Sequence, residues 1–268
     1  MASSPQLADP RSSSLAFPLT RYIERIRYIA PLRGRKRRVD RLPDGRTSLV
    51  FRELERRSHG DVTVLGPFTR ARLKEAEGFA RAVEFQFKPG WSTPLLGVSA
   101  SELTDEYVGI EELWGHIGHE LVHGLLCAQS MPDMAACLSR ALATRVAIAS
   151  EPASAPLARR AAHMLADHTL RVESVAAQLG ATSRHLRRAF AENIGVSPKD
   201  YARSARLQRA LSLASTATSP ANNWLRIALD AGYYDQAHLN ADFRALVGLT
   251  PTALAKRMRE PNPQVDHA

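Results

Sequence analysis

Two cysteines among 268 residues, Cys127 and Cys137, are too few for a disulfide framework, and both sit in apolar stretches where a small buried hydrophobe is the simplest role. No run approaches the ~18 apolar residues of a membrane span. Residues 1–18 lack the charged-then-apolar order of a secretory signal, so the cytoplasm is the expected compartment. Acidic residues are also in short supply. The chain carries 36 Lys and Arg against 27 Asp and Glu, a formal net charge of +9. The surplus is uneven, with 15 basic against 7 acidic residues in 152–259 but 21 against 18 in 1–151. Such a field favours a polyanion, although charge alone would also suit a membrane surface. The length allows two domains with separate cores.

One pattern occurs twice in the last third. Its first copy is Val175-Ala176, Leu179-Gly180, Leu186, Phe190, Gly195 and Ser197-Pro198; its second is Ile227-Ala228, Ala231-Gly232, Leu239, Phe243, Gly248 and Thr250-Pro251. The offset is 52 residues as far as the glycine and 53 beyond it, which places one extra residue in the second turn and leaves the helix faces on either side intact. Gly180 and Gly232 suit the left-handed residue that ends a helix. Thr182 and Asp235 precede Leu186 and Leu239 by four residues, where a side-chain oxygen caps the next helix. Leu186/Phe190 and Leu239/Phe243 then keep an apolar edge at i, i+4, turning the remaining faces outward. Pro198 and Pro251 suit the first turn of a following helix.

At these residues, over about 155–260, the chain resembles the C-terminal DNA-binding domain of the AraC/XylS family of bacterial transcription regulators. The segment Gly232-Tyr-Tyr-Asp-Gln-Ala-His-Leu with Phe243, Gly248, Thr250 and Pro251 carries the resemblance most specifically. It implies seven helices in two helix-turn-helix subdomains joined by a long helix, here residues 198–214, with Tyr201, Leu207 and Leu211 in the core. It also implies that Ser183, Arg184, Arg187 and Arg188 on the first reading helix, and Gln236, His238 and Asn240 on the second, meet double-stranded operator DNA. Arginine pairs bidentately with guanine, and Gln or Asn with adenine. A phosphate contact, or pairing with a neighbouring carboxylate, is the competing role for Arg187 and Arg188. Ala237 and Ala241 stand where relatives often carry longer side chains. RNA polymerase, an effector small molecule and a second copy of the chain are the further partners such a regulator implies; no cofactor is expected.

Before the repeat the pattern changes. Residues 1–14 are rich in Ser, Pro and Ala and read as a disordered tail, with a second tail at 261–268. Strand-like stretches at 22–28, 47–54, 62–65 and 82–87 lie between turn signals, and 111–127 and 131–149 read as two helices. The basic run 33–41 reads as a solvated loop. The expected fold is therefore α+β: a β-rich domain at 15–149, a linker at 150–156, and an all-α domain with two helix-turn-helix subdomains at 157–260. Phe87-Lys-Pro-Gly90, Leu95-Leu-Gly97, Glu102-Leu-Thr-Asp105 and Glu112-Leu-Trp-Gly115 resemble the N-terminal domain of an AraC-family subgroup, which implies a sensing or dimerisation module.

One motif argues for a different class. His119-Glu120-Leu121-Val122-His123 fits H-E-x-x-H, in which two histidines one turn apart bind zinc and the glutamate activates water. His116 lies one turn earlier. The extended form fails because Leu126 and Gln129 occupy its glycine and third-histidine positions, and the distant candidate Glu151 falls in the expected linker. His119 and His123 are thus weak metal candidates and a zinc hydrolase the remote alternative. The nearer alternative is a nonspecific basic DNA-binding or scaffold protein with an N-terminal interaction module.

Overall fold

The computed structural model describes residues 19–29, 37–54, 59–76, 79–167, 170–216 and 223–259. Both expected tails, and residues 33–36 of the basic run, lie outside the described residues.

The N-terminal half is built on a five-stranded antiparallel sheet in the order β1-β6-β3-β4-β7, formed by β1 (Ile23–Ile29), β3 (Ser48–Leu54), β4 (Gly60–Leu65), β6 (Phe79–Phe87) and β7 (Tyr107–Gly109). Period-two alternation divides its faces. Leu49, Phe51, Val62, Val64, Val83, Phe85 and Phe87 point to one side and pack under α3 (His116–Cys127) and α4 (Met131–Ile148), which contribute Leu121, Leu125, Met134, Leu138 and Leu142 to the same core. Two short helices, α1 (Thr93–Leu96) and α2 (Ile110–Trp114), close its edges. The expected single helix over 111–127 is broken because Gly115 takes φ 56, ψ −129 between α2 and α3, a conformation that L residues rarely adopt.

The other sheet face is largely polar, apart from a small buried cluster of Val50, Leu65 and Phe68. Arg27 and Glu84 stand directly opposite each other across β1 and β6. Glu84 is fully buried and paired with both Arg27 and Arg41. Burial disfavours its charge, but Arg41 and Arg27 more than offset that and hold the carboxyl below the usual range. Beside it, Gln86 accepts from Arg25 and donates to Asp44.

Residues 37–41 of the basic run correct the loop expectation. They form β2 (Arg37–Arg41), which pairs with β5 (Arg72–Ala76) in a separate antiparallel ribbon. Cys127 is likewise exposed and Cys137 only half-buried, because Cys127 ends α3 at the surface.

The C-terminal half is all-helical: α5 (Ala155–Ala166), α6 (Val172–Gln178), α7 (Ser183–Asn193), α8 (Pro198–Thr216), α9 (Trp224–Asp230), α10 (Gln236–Val247) and α11 (Pro251–Arg259). The first turn of α5 begins at Ala155, inside the stretch read as a linker. Two separate cores form, one around Ala161, Leu186, Phe190 and Tyr201, the other around Leu207, Leu211, Trp224, Leu239 and Phe243.

The turn at 42–46 joins the two halves. Leu42 packs against the second helical core, and the Pro43 carbonyl accepts from Gln208 Nε2 at 2.9 Å. Gly45 lies so close to the Tyr201 ring that a Cβ there would come within 2.5 Å of it, and its φ is +65. Asp44, in the same turn, accepts from the Arg46 N–H at 2.9 Å and from Gln86 at 3.0 Å. Its pKa is nonetheless pushed up to about 6 by burial, against the opposing charges of Arg46 and Arg41 and with Glu84 adding to the rise. A carboxyl whose folded pKa lies above its unfolded value gives stability that is fully present below about pH 4 and is lost as pH rises through about 6. We therefore expect thermal unfolding midpoints of the wild type to fall relative to Asp44→Asn between pH 4 and 7. Parallel curves would show that Asp44 does not titrate in this window.

Candidate nucleic-acid interface

The two helix-turn-helix halves are built from the same local devices. Gly180 and Gly232 take φ of 64 and 87 and end α6 and the α9 turn. Thr182 Oγ1 accepts from His185 N at 3.1 Å, and Asp235 Oδ1 from His238 N at 2.7 Å. Each cap satisfies a helix N–H that would otherwise lack a partner, worth about 1 kcal/mol. Leu186, Phe190, Leu239 and Phe243 are fully buried. Phe190 meets Tyr201 edge-on and Phe243 meets Trp224 likewise, at 5.8 and 6.0 Å between centroids. Truncating either phenylalanine to alanine would cost about 3 to 5 kcal/mol.

Those anchors fix what faces outward. On α7, Arg184, Arg187 and Arg188 are all exposed, and none forms an ion pair with a described residue. Ser183 is half-buried at the helix start. On α10, Gln236 and His238 are exposed, and Asn240 is half-buried. The His238 ring also stands edge-on to buried Tyr233 at 5.3 Å, which orients it against the turn.

Helical spacing makes the two outward faces unequal. Leu186 and Phe190 define the buried edge of α7, so Arg184 and Arg188, one turn apart, occupy the centre of the opposite face. Their equivalents on α10 are Ala237 and Ala241, both exposed. Exposed Arg244 follows one turn later, on the same face. Sequence reasoning missed Arg244, although extending the helix period beyond Asn240 would have found it. It also missed His185, exposed on the flank of α7, and Tyr234, which is 87% exposed in the turn that carries the extra residue.

Both halves hang on α8. Its Tyr201 belongs to the first core, and its Leu207, Ala210, Leu211 and Ala214 belong to the second. Arg203 of α8 donates from Nε and Nη2 to Asp242 Oδ1 at 3.1 and 2.8 Å, tying α10 to it. In the first half, buried Asn193 bonds Ser154 Oγ at 2.8 Å and the Ala189 carbonyl at 2.9 Å, tying α7 to the start of α5.

The residues of the zinc-protease motif do not converge. His119, Glu120 and His123 lie on the exposed face of α3, whose buried side is Gly118, Leu121 and Leu125. Glu120 is engaged by His116 Nε2 at 3.1 Å, and Glu151 is paired with Arg159. Among the described residues no group of three His, Cys, Asp or Glu side chains is arranged to hold a metal ion.

Comparison with known proteins fits this geometry. Residues 175–257 match a family described as a helix-turn-helix domain, and residues 16–109 match one described as a domain of unknown function (DUF6597). No curated protein matches the sequence significantly. Among solved structures, a transcriptional regulator with an AraC-type DNA-binding domain from Chromobacterium violaceum is 23% identical, covering 40% of this chain and 96% of its own at a TM-score of 0.36. The C-terminal domain of AraT, a response regulator from Geobacillus stearothermophilus, is 25% identical over 44% of this chain and 97% of its own, with a TM-score of 0.35. ToxT from Vibrio cholerae O395 is 10% identical over 90% of this chain and 100% of its own, with a TM-score of 0.46. The doubled motif and the family match over it show that residues 175–257 of this chain form a helix-turn-helix domain.

Proposed function

We propose that the chain is a sequence-specific DNA-binding transcription regulator that seats α7 and α10 in successive major-groove segments on one face of the duplex. One observation carries the reading. Two capped, core-pinned helices sharing α8 present exposed Arg184, Arg187, Arg188, Gln236 and His238, and the three arginines have no carboxylate partner among the described residues. Free guanidinium groups at the start of a reading helix pair bidentately with guanine O6 and N7. Ser183 and Asn240 flank these side chains and complete the proposed surface. Reading helices on one rigid frame meet grooves about 34 Å apart, one helical turn of DNA.

The finer parts of the reading rest on the family resemblance. The N-terminal half serves as an effector-sensing or dimerisation module, RNA polymerase is the downstream partner, and the cytoplasm is the compartment. No helix of the described residues is long and apolar enough to cross a membrane. Domain boundaries at 15–149 and 157–260 are supported by the separateness of the cores on either side.

Three outcomes test this reading. A fragment beginning at Ala153 is expected to unfold cooperatively on its own, since both helical cores lie within it apart from Leu42 and Ala71; a fragment without a cooperative transition would show that the boundary is misplaced. Arg184→Ala should weaken binding to the cognate site by about 1 to 3 kcal/mol and relax its preference there. An equal loss on random competitor DNA would reduce Arg184 to a phosphate contact, and equal binding of wild type to all competitors would favour the nonspecific alternative. Sequences selected from a random pool should contain one sharply specified half, rich in guanine, and a second specified more loosely, because Ala237 and Ala241 replace the central arginines of α7. Two equally sharp halves would show that Arg244, His238 and Gln236 read as strongly as the arginines.

A further inference from the structure

The N-terminal half touches both reading helices at the same place, their C-terminal ends. At the end of α7, Thr93 Oγ1 and Ser99 Oγ both donate to the Glu192 carbonyl, at 3.3 and 3.2 Å. Thr104 Oγ1 donates to the Gly195 carbonyl at 2.6 Å. The approach there is close enough that a Cβ on Gly195 would lie 2.6 Å from both the Ala100 carbonyl and Pro67 Cγ. At the end of α10, the Ala71 N–H donates to the Leu246 carbonyl at 2.7 Å. The last carbonyls of a helix have no partner within it, so these donors grip groups that each reading helix leaves open, at the end away from its capped, outward-reading first turns.

The two grips are joined through Asp105, beside the Gly66 N–H bond to the Glu106 carbonyl at 3.1 Å. Asp105 accepts from Thr69 N at 2.9 Å and from Thr69 Oγ1 at 2.5 Å, and its own N–H donates to the Pro67 carbonyl at 3.1 Å. It therefore clasps the 66–71 loop, which reaches α10, to the 99–104 turn, which reaches α7. Asp105 has the sole positive φ among the described non-glycine residues, 63, a conformation that Asp and Asn tolerate better than other side chains. A second tie anchors the same loop's neighbour, the β2–β5 ribbon, to the second half. Arg257 of α11 donates from Nε and Nη2 to the two Asp40 oxygens, both at 2.7 Å.

We propose that Asp105, Asp40 and Arg257 are positioning residues that set the spacing of the two reading helices and hence which separation of half-sites the protein accepts. The proposal rests on the DNA-binding reading above. α8 alone joins the halves along one line, whereas the 66–71/99–105 bar joins them along a second, so that rotation of one half against the other breaks bonds at a reading-helix end. Inserting one base pair between half-sites turns the second groove by about 34° about the duplex axis. A rigid frame loses simultaneous engagement when geometry is shifted in this way; a loosened frame adapts.

The test uses the full chain and a bipartite DNA selected by the wild type, together with versions in which the half-sites are moved one base pair closer or further apart and a duplex carrying the stronger half alone. Wild type is expected to prefer the selected spacing by at least tenfold. Asp105→Asn and Arg257→Ala should reduce that preference to threefold or less while binding the isolated half as wild type does, and the exchange Asp40→Arg with Arg257→Asp should restore it over Arg257→Asp alone. A spacing profile unchanged in both single variants overturns the proposal, as does an equal loss on the isolated half. Failure of the wild type to select any sequence would instead overturn the DNA-binding reading. Should Asp105→Asn not fold, as judged by its thermal transition, the Arg257 pair and its exchange decide the matter alone.

Discussion

The structure depends on one helix serving two cores. α8 is 19 residues long, so it spans about 28 Å at 1.5 Å per residue. Tyr201 near its start closes the first core, and Leu207 to Ala214 near its end close the second. Neither core can shift along or around α8 without exposing side chains that are now buried. Because α7 and α10 are anchored in those cores through Phe190 and Phe243, the direction each reading face takes is set by hydrophobic burial. Polar ties add to that burial: Arg203 and buried Asp242 hold α10 to α8, and buried Asn193 holds α7 to Ser154 at the start of α5.

The N-terminal half docks on this frame with mostly polar ties. Arg159 of α5 lies over the Trp91 ring at 3.7 Å and reaches the Gly90 carbonyl; hydroxyls and amides grip carbonyls elsewhere along the seam. Bonds of this kind are each worth only about 1 kcal/mol net, and they are directional. They fix orientation more than they add stability. A seam of that character can be released by a modest competing free energy. The buried charges behind it, Glu84 held by Arg27 and Arg41 and Asp44 held by Gln86 and Arg46, keep the 42–46 turn in its place against Tyr201.

The features legible in the sequence were those enforced locally. The caps Thr182 and Asp235, the glycines 180 and 232, and the i, i+4 anchors all act within one turn of helix, and their repetition at a near-constant offset marked both halves of the reader. The strands β3 and β6 were legible because one face of each is apolar. The β2–β5 ribbon and the Gly115 break gave no local signal. β2 carries three arginines and an aspartate, a composition that favours solvent; it is a strand because β5 pairs with it and Arg257, 217 residues away, bonds Asp40. The break at Gly115 needs a conformation, not a pattern. The seam itself is made of contacts such as Thr93 to Glu192, in which a common hydroxyl meets a backbone carbonyl that every residue possesses. Nothing in residue identity marks such a pair.

The duplicated architecture also shows how a repeat diverges without losing its frame. The main core anchors keep their character between the halves, Leu186 and Leu239, Phe190 and Phe243, Pro198 and Pro251, whereas buried Ala189 becomes Asp242 and buried Asn193 becomes Leu246. The centre of the outward face does not, since Arg184 and Arg188 become Ala237 and Ala241. Burial constrains the first set by several kcal/mol per residue, whereas an exposed reading position contributes almost nothing to folding and is free to change. The long reach that remains on the α10 face is Arg244, one turn further along. The two halves are thus equivalent as structural units and different in what their outward faces present: a pair of arginines on α7, and two alanines followed by Arg244 on α10.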